Sequence, residues 1–317
     1  IGGRTHRVSA SVGLAVGHAG LDAESLVRRA DLAMYRAKAM GRERIEIFDA
    51  SVHMQAPHLA LEKSLRTALE QNELLLHYQP SVSLEDGRVV GAEVLLRWNQ
   101  PERGIVHPDE FIPVAEDTGM ISPIGEWVLR IACTQNVIWQ QLGLPPVFFS
   151  LNLSIRQLEM LGFVELVARI LQETGMDPSL LQFELSERLA MERMEKLVAP
   201  LAELKAMGIR ISIDNFGTGF SSLGHLKRFH IDTLKIDRSF VRDLGTHPKN
   251  DAFATAVIAL AHSLKMKVVA EGVETEEQLA FLLWHHCDEI QGYLFSHPLT
   301  VEDLTRLLEE KRKLKLK

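Results

Sequence analysis

A chain of 317 residues, 46% hydrophobic and 24% charged, has the composition of a soluble globular protein and is long enough for one large domain plus a smaller unit. Its formal net charge of −7 gives no support to binding a nucleic-acid polymer. No apolar run nears the ~20 residues needed to cross a bilayer, and Cys133 and Cys287 form no ligand or redox motif, so the expected setting is reducing and cytoplasmic.

Residues 1–49 read as strand, helix, strand. In RVSASVGLAV, Val8, Ala10, Val12, Leu14 and Val16 alternate as one buried face of a strand should. ESLVRRADLAMYRAKAMG places Leu26, Ala30, Ala33, Met34 and Ala37 on one helical stripe, with Gly41 as the stop, and RIEIFD closes the unit as a short strand. A piece this small buries too little apolar surface to fold securely alone. The chain opens inside what reads as a folded unit, so the expectation is a piece of a longer protein, with any membrane attachment made only through an upstream segment. Residues 50–72 read as a linker running into a helix, with Leu59, Leu61, Leu65 and Leu69 at near-helical spacing and Pro57 in the first turn.

From residue 73 a strand–helix pattern repeats, with strands expected near 74–79, 90–98, 147–153, 181–187, 209–215, 231–237, 267–273 and 287–294. Eight such strands predict a (β/α)8 barrel. Parity supports it. Phe183 and Leu185 oppose Glu184; Ile211 and Ile213 oppose Ser212 and Asp214; Leu234 and Ile236 oppose Thr233 and Lys235; Val268 and Ala270 oppose Val269 and Glu271. One face suits packing on outer helices and the other points into the barrel mouth. A doubly wound open sheet is the alternative, but it brings fewer strand ends together. The last stretch, TVEDLTRLLEEKRKLKLK, reads as a helix with Thr300 as N-cap and Asp303 in the capping-box position.

The strand-like runs each carry polar residues expected near their C-terminal ends: Glu93, Asn152, Glu184, Asp214, Lys235 and Glu271. Singly, a strand-end glutamate is usually solvated or salt-bridged, a lysine exposed, an asparagine a turn cap. Together, at one level of so many strands, they read as a pocket. Unpaired carboxylates so close repel and take up protons. Oxygen donors of this kind suit Mg²⁺ or Mn²⁺, two of which can clamp both oxygens of an in-line phosphoryl displacement. Lys235 offers a point charge for a nucleophilic water or a non-bridging oxygen, and Arg97, sharing parity with Glu93, can hold a phosphate or guanine edge. In DNFGTGFSSL, Gly217 and Gly219 permit a tight loop, and Ser221 or Ser222 can cap a following helix. The scattered histidines have no zinc spacing.

Ordered motifs from about residue 61 to 305 resemble an EAL-type cyclic-di-GMP phosphodiesterase domain: YQP (78–80), EVLLRW (93–98), NLSIRQL (152–158), ELSE (184–187), DNFGTGFSSL (214–223), LKID (234–237), EGVE (271–274) and QGYLFS (291–296). The resemblance implies a TIM-like barrel with one antiparallel strand and hydrolysis of cyclic di-GMP to linear pGpG in bacterial second-messenger signalling. It also implies two Mg²⁺ or Mn²⁺ ions. Glu93, Asn152, Glu184 and Asp214 correspond to metal ligands, Glu271 to a further metal-site carboxylate, and Lys235 to the lysine near the attacking water. Glu187 corresponds to a glutamate steadying the loop after the fifth barrel strand, and Gln79, Arg97 and Gln291 to positions near substrate or water. It suggests a homodimer using the segment after Asp214.

Val94 stands for the alanine of the name motif and points away from the mouth. Asn215 stands for a second aspartate expected on the second metal, which favours binding over turnover and leaves open a receptor that binds cyclic di-GMP without cleaving it. An unrelated Mg²⁺-dependent barrel enzyme such as a lyase is a third reading. The strand and ADLAMYRAK helix of residues 1–49 resemble the C-terminal tail of GGDEF-type diguanylate cyclase domains; the glycine-rich acidic signature of that family is absent, so no cyclase activity is assigned. The organisation expected is thus a GGDEF-type fragment over 1–49, a linker and leading helix over 50–72, and an EAL-type barrel over 73–317.

Overall fold

The computed structural model describes residues 10–17, 26, 27, 29–31, 33, 34, 37, 44–48, 55–192, 194–218 and 230–316. Val8, Gly41, Gly219, Ser221 and Ser222 therefore lie outside the described residues, as does the segment of the expected dimer contact after Thr218.

Near the N-terminus, strands β1 (Val12–Leu14) and β2 (Ile45–Ile47) pair in parallel. The described residues between 26 and 37 are helical, and Ala33 and Ala37 are fully buried. The expected burial of the strand is reversed: Leu14 and Val16 are 45% and 74% exposed. The reason is close approach on the other face. A Cβ on Gly13 would stand 2.0 Å from the Ala30 carbonyl oxygen and 2.2 Å from the Met34 nitrogen, so the helix packs on the small-residue side. A helix over Gln55–Glu70 follows, with Pro57 in its first turn and Leu65 fully buried.

Eight strands then close into the predicted barrel. They are β3 (Leu74–Ser83), β4 (Val89–Gln100), β6 (Phe148–Asn152), β7 (Leu181–Ser186), β8 (Arg210–Phe216), β9 (Thr233–Ile236), β10 (Lys267–Glu271) and β11 (Glu289–Gln291). The order around the cylinder is β3-β11-β10-β9-β8-β7-β6-β4, and β3 pairs again with β4. β3 runs antiparallel to both of its neighbours, and every other adjacent barrel pair is parallel. This closure excludes the doubly wound sheet.

Two departures concern β4. Sequence patterning missed β5 (Gly104–Val106), which pairs antiparallel with the outer end of β4. Glu93 accordingly lies in the middle of a 12-residue strand, not near its end. β4 continues past the rim because β3 and β5 keep its backbone groups hydrogen-bonded on either side.

The strand parity read from sequence separates two environments. Phe183, Leu185, Ile211, Ile213, Leu234, Ile236, Val268 and Ala270 face the helical shell and are at most 2% exposed. Tyr78, Trp139 and Phe149 pack there with ring centroids 5.3–5.7 Å apart, and the Trp139 indole donates to Thr305 Oγ1 on the last helix (2.9 Å). That helix, Val301–Glu309, has the Thr300 cap expected, with its hydroxyl accepting from the Asp303 N–H (3.3 Å).

Inside the barrel the packing is polar where branched apolar residues are usual. Gln182 donates to Ser150 Oγ (2.8 Å), and Ser212 donates to the Thr233 carbonyl (3.3 Å). The lower end is plugged by Phe148, whose ring lies under the Arg210 guanidinium (5.3 Å), while Lys267 pairs with buried Glu289 (2.8 Å). A Cβ on Gly91 would meet the Phe148 ring at 2.4 Å. Gly91→Ala is therefore expected to lower the unfolding free energy by about 1–3 kcal/mol through overpacking, read from urea denaturation, and Phe148→Leu in the same chain should recover part of it.

Candidate active site

Parallel strands of a closed barrel deliver their C-terminal ends to one mouth. Lys235 on β9 projects into that mouth, 2% exposed, and four strands aim carboxylates at its ammonium. Nζ lies 2.7 Å from Glu271 Oε1, 2.8 Å from Glu184 Oε2, 3.1 Å from Glu93 Oε2 and 3.8 Å from Asp214 Oδ1. The four carboxylates converge on the ammonium. The predicted cluster is thus brought together, with Lys235 at its centre rather than beside it.

Neutral groups orient this ring. Asn152 Nδ2 donates to Glu93 Oε1 (2.9 Å), which leaves the Asn152 carboxamide oxygen able to face a cation. Gln291 Nε2 donates to Glu93 Oε2 (2.7 Å) and to Gln79 Oε1 (3.1 Å). Gln291 therefore fixes a ring carboxylate, and Gln79 holds Gln291. At Asn215 the backbone is left-handed (φ 56°), a region asparagine tolerates. Its backbone N–H donates to Asp214 Oδ1 (2.9 Å) and its carboxamide to Oδ2 (2.7 Å). Glu187, 1% exposed, accepts from the Gly217 N–H (2.8 Å) and so ties down the segment that follows Asp214 and Asn215.

Electrostatics follow from four carboxylates around one ammonium in a buried space. Burial works against the charged Lys235, but Glu184, Glu271, Glu93 and Asp214 outweigh it and hold its pKa well above the usual lysine value. Burial pushes the Glu184 carboxyl up to about 8, against the pull of Lys235 and with help from Glu93 and Asp214. Burial likewise raises Asp214 and Glu271. Glu93 is the exception: burial opposes its charge, yet Lys235, Gln291 and Asn152 together hold it below the ordinary range. When ionised, the four carboxyls carry more negative charge than one ammonium balances. The ring's donors are oxygens, the chemistry that hard dications such as Mg²⁺ and Mn²⁺ take.

Arg97 stands four residues beyond Glu93 along β4, or about 13 Å farther out. It is 9% exposed and donates to the Leu96 carbonyl (2.8 Å). Sequence reading missed His77, which pairs with Leu95 two register steps outward from the Gln79–Glu93 pair. Burial, then Arg97 and His107, lowers its pKa, so a neutral imidazole lines this wall. The signal was there: β3 runs antiparallel, so residues preceding Gln79 with its parity climb toward the mouth. Tyr293, two residues past Gln291, stacks on His297 with centroids 3.9 Å apart. An open groove of about 480 Å³ near Leu158, Met160, Leu161 and Pro200 shares no residue with the ring, and its surface ion pair, Lys196 with Glu159 (3.4 Å), marks no buried chemistry.

Known proteins place this geometry. The chain is 42% identical over 300 residues to the bifunctional diguanylate cyclase/cyclic di-GMP phosphodiesterase MucR of Pseudomonas aeruginosa, covering 94% of this chain and 44% of that protein. It is 39% identical over 312 residues to the cyclic di-GMP phosphodiesterase NbdA of the same organism, covering 98% of this chain and 40% of that protein. The chain thus spans less than half the length of either. Among solved structures, the MucR phosphodiesterase in complex with c-di-GMP superposes with a TM-score of 0.74 at 43% identity, covering 77% of this chain and 99% of the other. The EAL enzyme Bd1971, bound to cAMP and cyclic-di-GMP, superposes with a TM-score of 0.76 at 32% identity over 92% of this chain and 77% of its own. With residues 62–298 matching the EAL domain family, the chain belongs to that family.

Proposed function

We propose that the barrel hydrolyses one phosphodiester bond of cyclic di-GMP, giving linear pGpG, in second-messenger signalling. The observation that carries this reading is the convergence of Glu93, Glu184, Asp214 and Glu271 from four strands on Lys235 at the mouth of an EAL-family barrel. Glu93, Asn152, Glu184 and Asp214, with Asn215 and Glu271, would hold Mg²⁺ or Mn²⁺, two ions by the family resemblance. Such ions polarise a phosphoryl oxygen and lower the pKa of a bound water. Lys235, kept charged by its carboxylates, orients the water or a non-bridging oxygen. Gln291, held by Gln79, keeps Glu93 in place, and Glu187 holds the loop bearing Asn215. Arg97, farther up the wall, takes the remote phosphate or guanine edge of the substrate.

We read residues 1–49 as the tail of a GGDEF-type domain, 50–72 as linker and leading helix, and 73–317 as the barrel, working as a homodimer on the cytoplasmic side. The buried, unpaired Cys133 and Cys287 support a reducing compartment. Among the described residues no helix is long and apolar enough to cross a membrane.

A second reading, a receptor that binds cyclic di-GMP without cleaving it, is favoured by one observation. Asn215 spends its carboxamide N–H on Asp214 and brings no charge of its own. The two readings separate in one assay: purified chain, cyclic di-GMP and Mg²⁺ or Mn²⁺, with pGpG followed by chromatography. Measurable turnover is expected, rising about 10–100-fold in Asn215→Asp, the range over which metal-site changes usually act. Binding without product in both chains would establish the receptor. Equal turnover in both would remove Asn215 from the metal site.

A further inference from the structure

The Lys235 ammonium has three N–H groups to donate. Three carboxylates lie within hydrogen-bond reach of it: Glu271 at 2.7 Å, Glu184 at 2.8 Å and Glu93 at 3.1 Å. Glu93 and Glu184 accept its hydrogen bonds, Glu271 is its nearest ion-pair partner, and all three belong to the oxygen set that would hold a dication. The remaining ring carboxylate, Asp214, stands off at 3.8 Å and is bonded through both oxygens to Asn215. An oxygen cannot give the same lone pair to an ammonium and to a metal. A second cation a few ångströms from a dication also repels it, more strongly in a buried site than in water.

We propose that Lys235 is the resident counter-ion of the carboxylate ring and exchanges with a dication: loading draws Glu93 and Glu184 off the ammonium, and Glu271 keeps it. This exchange rests on the metal-dependent reading above and gives two residues roles beyond it. Lys235 sets how tightly the ring takes its metal, and Glu271 serves as the anchor that holds the ammonium clear rather than as a ligand of the ion. The wiring of Glu93 suits such a handover. Its Oε2 accepts from both Lys235 (3.1 Å) and Gln291 (2.7 Å), while its Oε1 accepts from Asn152 (2.9 Å). When the lysine leaves, Gln291 and Asn152 still fix the carboxylate, so the ring does not have to be rebuilt.

The test is Mn²⁺ binding by the full chain without nucleotide, with free Mn²⁺ read by electron paramagnetic resonance. Lys235→Met removes the competing charge at similar length. It is expected to tighten Mn²⁺ binding by about 10–1,000-fold, the range by which one neighbouring charge biases an ionic equilibrium. Glu271→Gln leaves the ammonium on Glu93 and Glu184 and should weaken Mn²⁺ binding. That penalty should shrink in the double variant, because no lysine is left to be held away. Three results would each overturn the exchange: Mn²⁺ affinity in folded Lys235→Met equal to or weaker than in the parent chain; unchanged or tighter affinity in Glu271→Gln, which can be read even if Lys235→Met does not fold; or the same Glu271→Gln penalty with and without the lysine. The underlying reading fails differently. A parent chain that binds no Mn²⁺ ends both ideas, whereas normal Mn²⁺ binding with no hydrolysis ends the enzymatic reading and leaves the exchange standing.

Discussion

Glu184→Gln should abolish measurable hydrolysis of cyclic di-GMP, a fall of about a thousandfold or more, while leaving the barrel folded. Outer-shell changes around a metal already cost ~10–100-fold, and loss of a single group stabilising a transition state costs ~10²–10³. Glu184 stands closer than either case, with its carboxylate 1% exposed and 2.8 Å from Lys235. Breaking a buried ion pair usually destabilises strongly. Here the expectation is different, because burial, helped by the repulsion of Glu93 and Asp214, already pushes Glu184 up to about 8. At pH 7 that carboxyl is mostly protonated, and the amide is close to it in both shape and charge. The melting temperature of the metal-free protein should therefore change little at pH 7.

The same residue makes a signed prediction for pH. A carboxyl whose pKa is raised from 4.5 to about 8 on folding binds a proton more tightly in the native state than in the unfolded one. Between those values the folded protein holds more protons, so stability falls as pH rises. The contribution is complete below the unfolded pKa and lost as pH passes through the folded one. Metal-free protein should melt higher at pH 5.5 than at pH 8.5, and Glu184→Gln should flatten that difference. An equal slope in both proteins would place the proton elsewhere in the ring.

The alternation of apolar and polar residues made much of this site readable, because strand parity is a local rule that barrel closure converts into a common centre. It assigned Glu184, Asp214, Lys235 and Glu271 to the inward face and Phe183, Leu185, Ile211 and Ile213 to the shell. It could not say which atoms would meet. That Lys235 sits within the ring depends on the stagger between strands, as does the bond from Gln291 to Glu93 across 198 residues. Glu93 in mid-strand escaped for another reason: a strand prolonged by a short hairpin such as β5 carries little hydrophobic signal of its own. The reversed face of β1 shows the limit of periodicity. Alternation shows that two faces differ, but Gly13, by admitting the helix backbone, decides which one is covered. Loop chemistry was legible in part, since Gly217 announced a tight turn without naming what it turns against.

What it turns against supports the second large effect. Gly217→Ala should destabilise the protein by about 2–5 kcal/mol and lower turnover about a hundredfold in whatever remains folded. Two separate costs meet there. With φ at 105°, the backbone lies where an L-residue is strained, by roughly 1–2 kcal/mol. A new Cβ would also stand 2.3 Å from Phe253 and 2.8 Å from Phe240, and those rings stack at 4.0 Å with no slack between them. Overpacking of that kind adds ~1–3 kcal/mol. The functional loss follows from connectivity. Gly217 donates its N–H to Glu187, and Asp214 and Asn215 lie just upstream on the end of β8. If the loop must lift off the two rings, that bond lengthens and the ring oxygens move with the strand. A displacement of about 1 Å at a reacting centre is enough for ~10²-fold. The two costs can be told apart by Phe253→Ala in the Gly217→Ala background. The truncated ring leaves room for the methyl but does nothing for the backbone angle, so stability and turnover should return only in part. Full recovery would mean that the left-handed backbone costs nothing here. No recovery would mean that the stacked rings do not set the height of the loop, and that Glu187 alone positions Asp214 and Asn215.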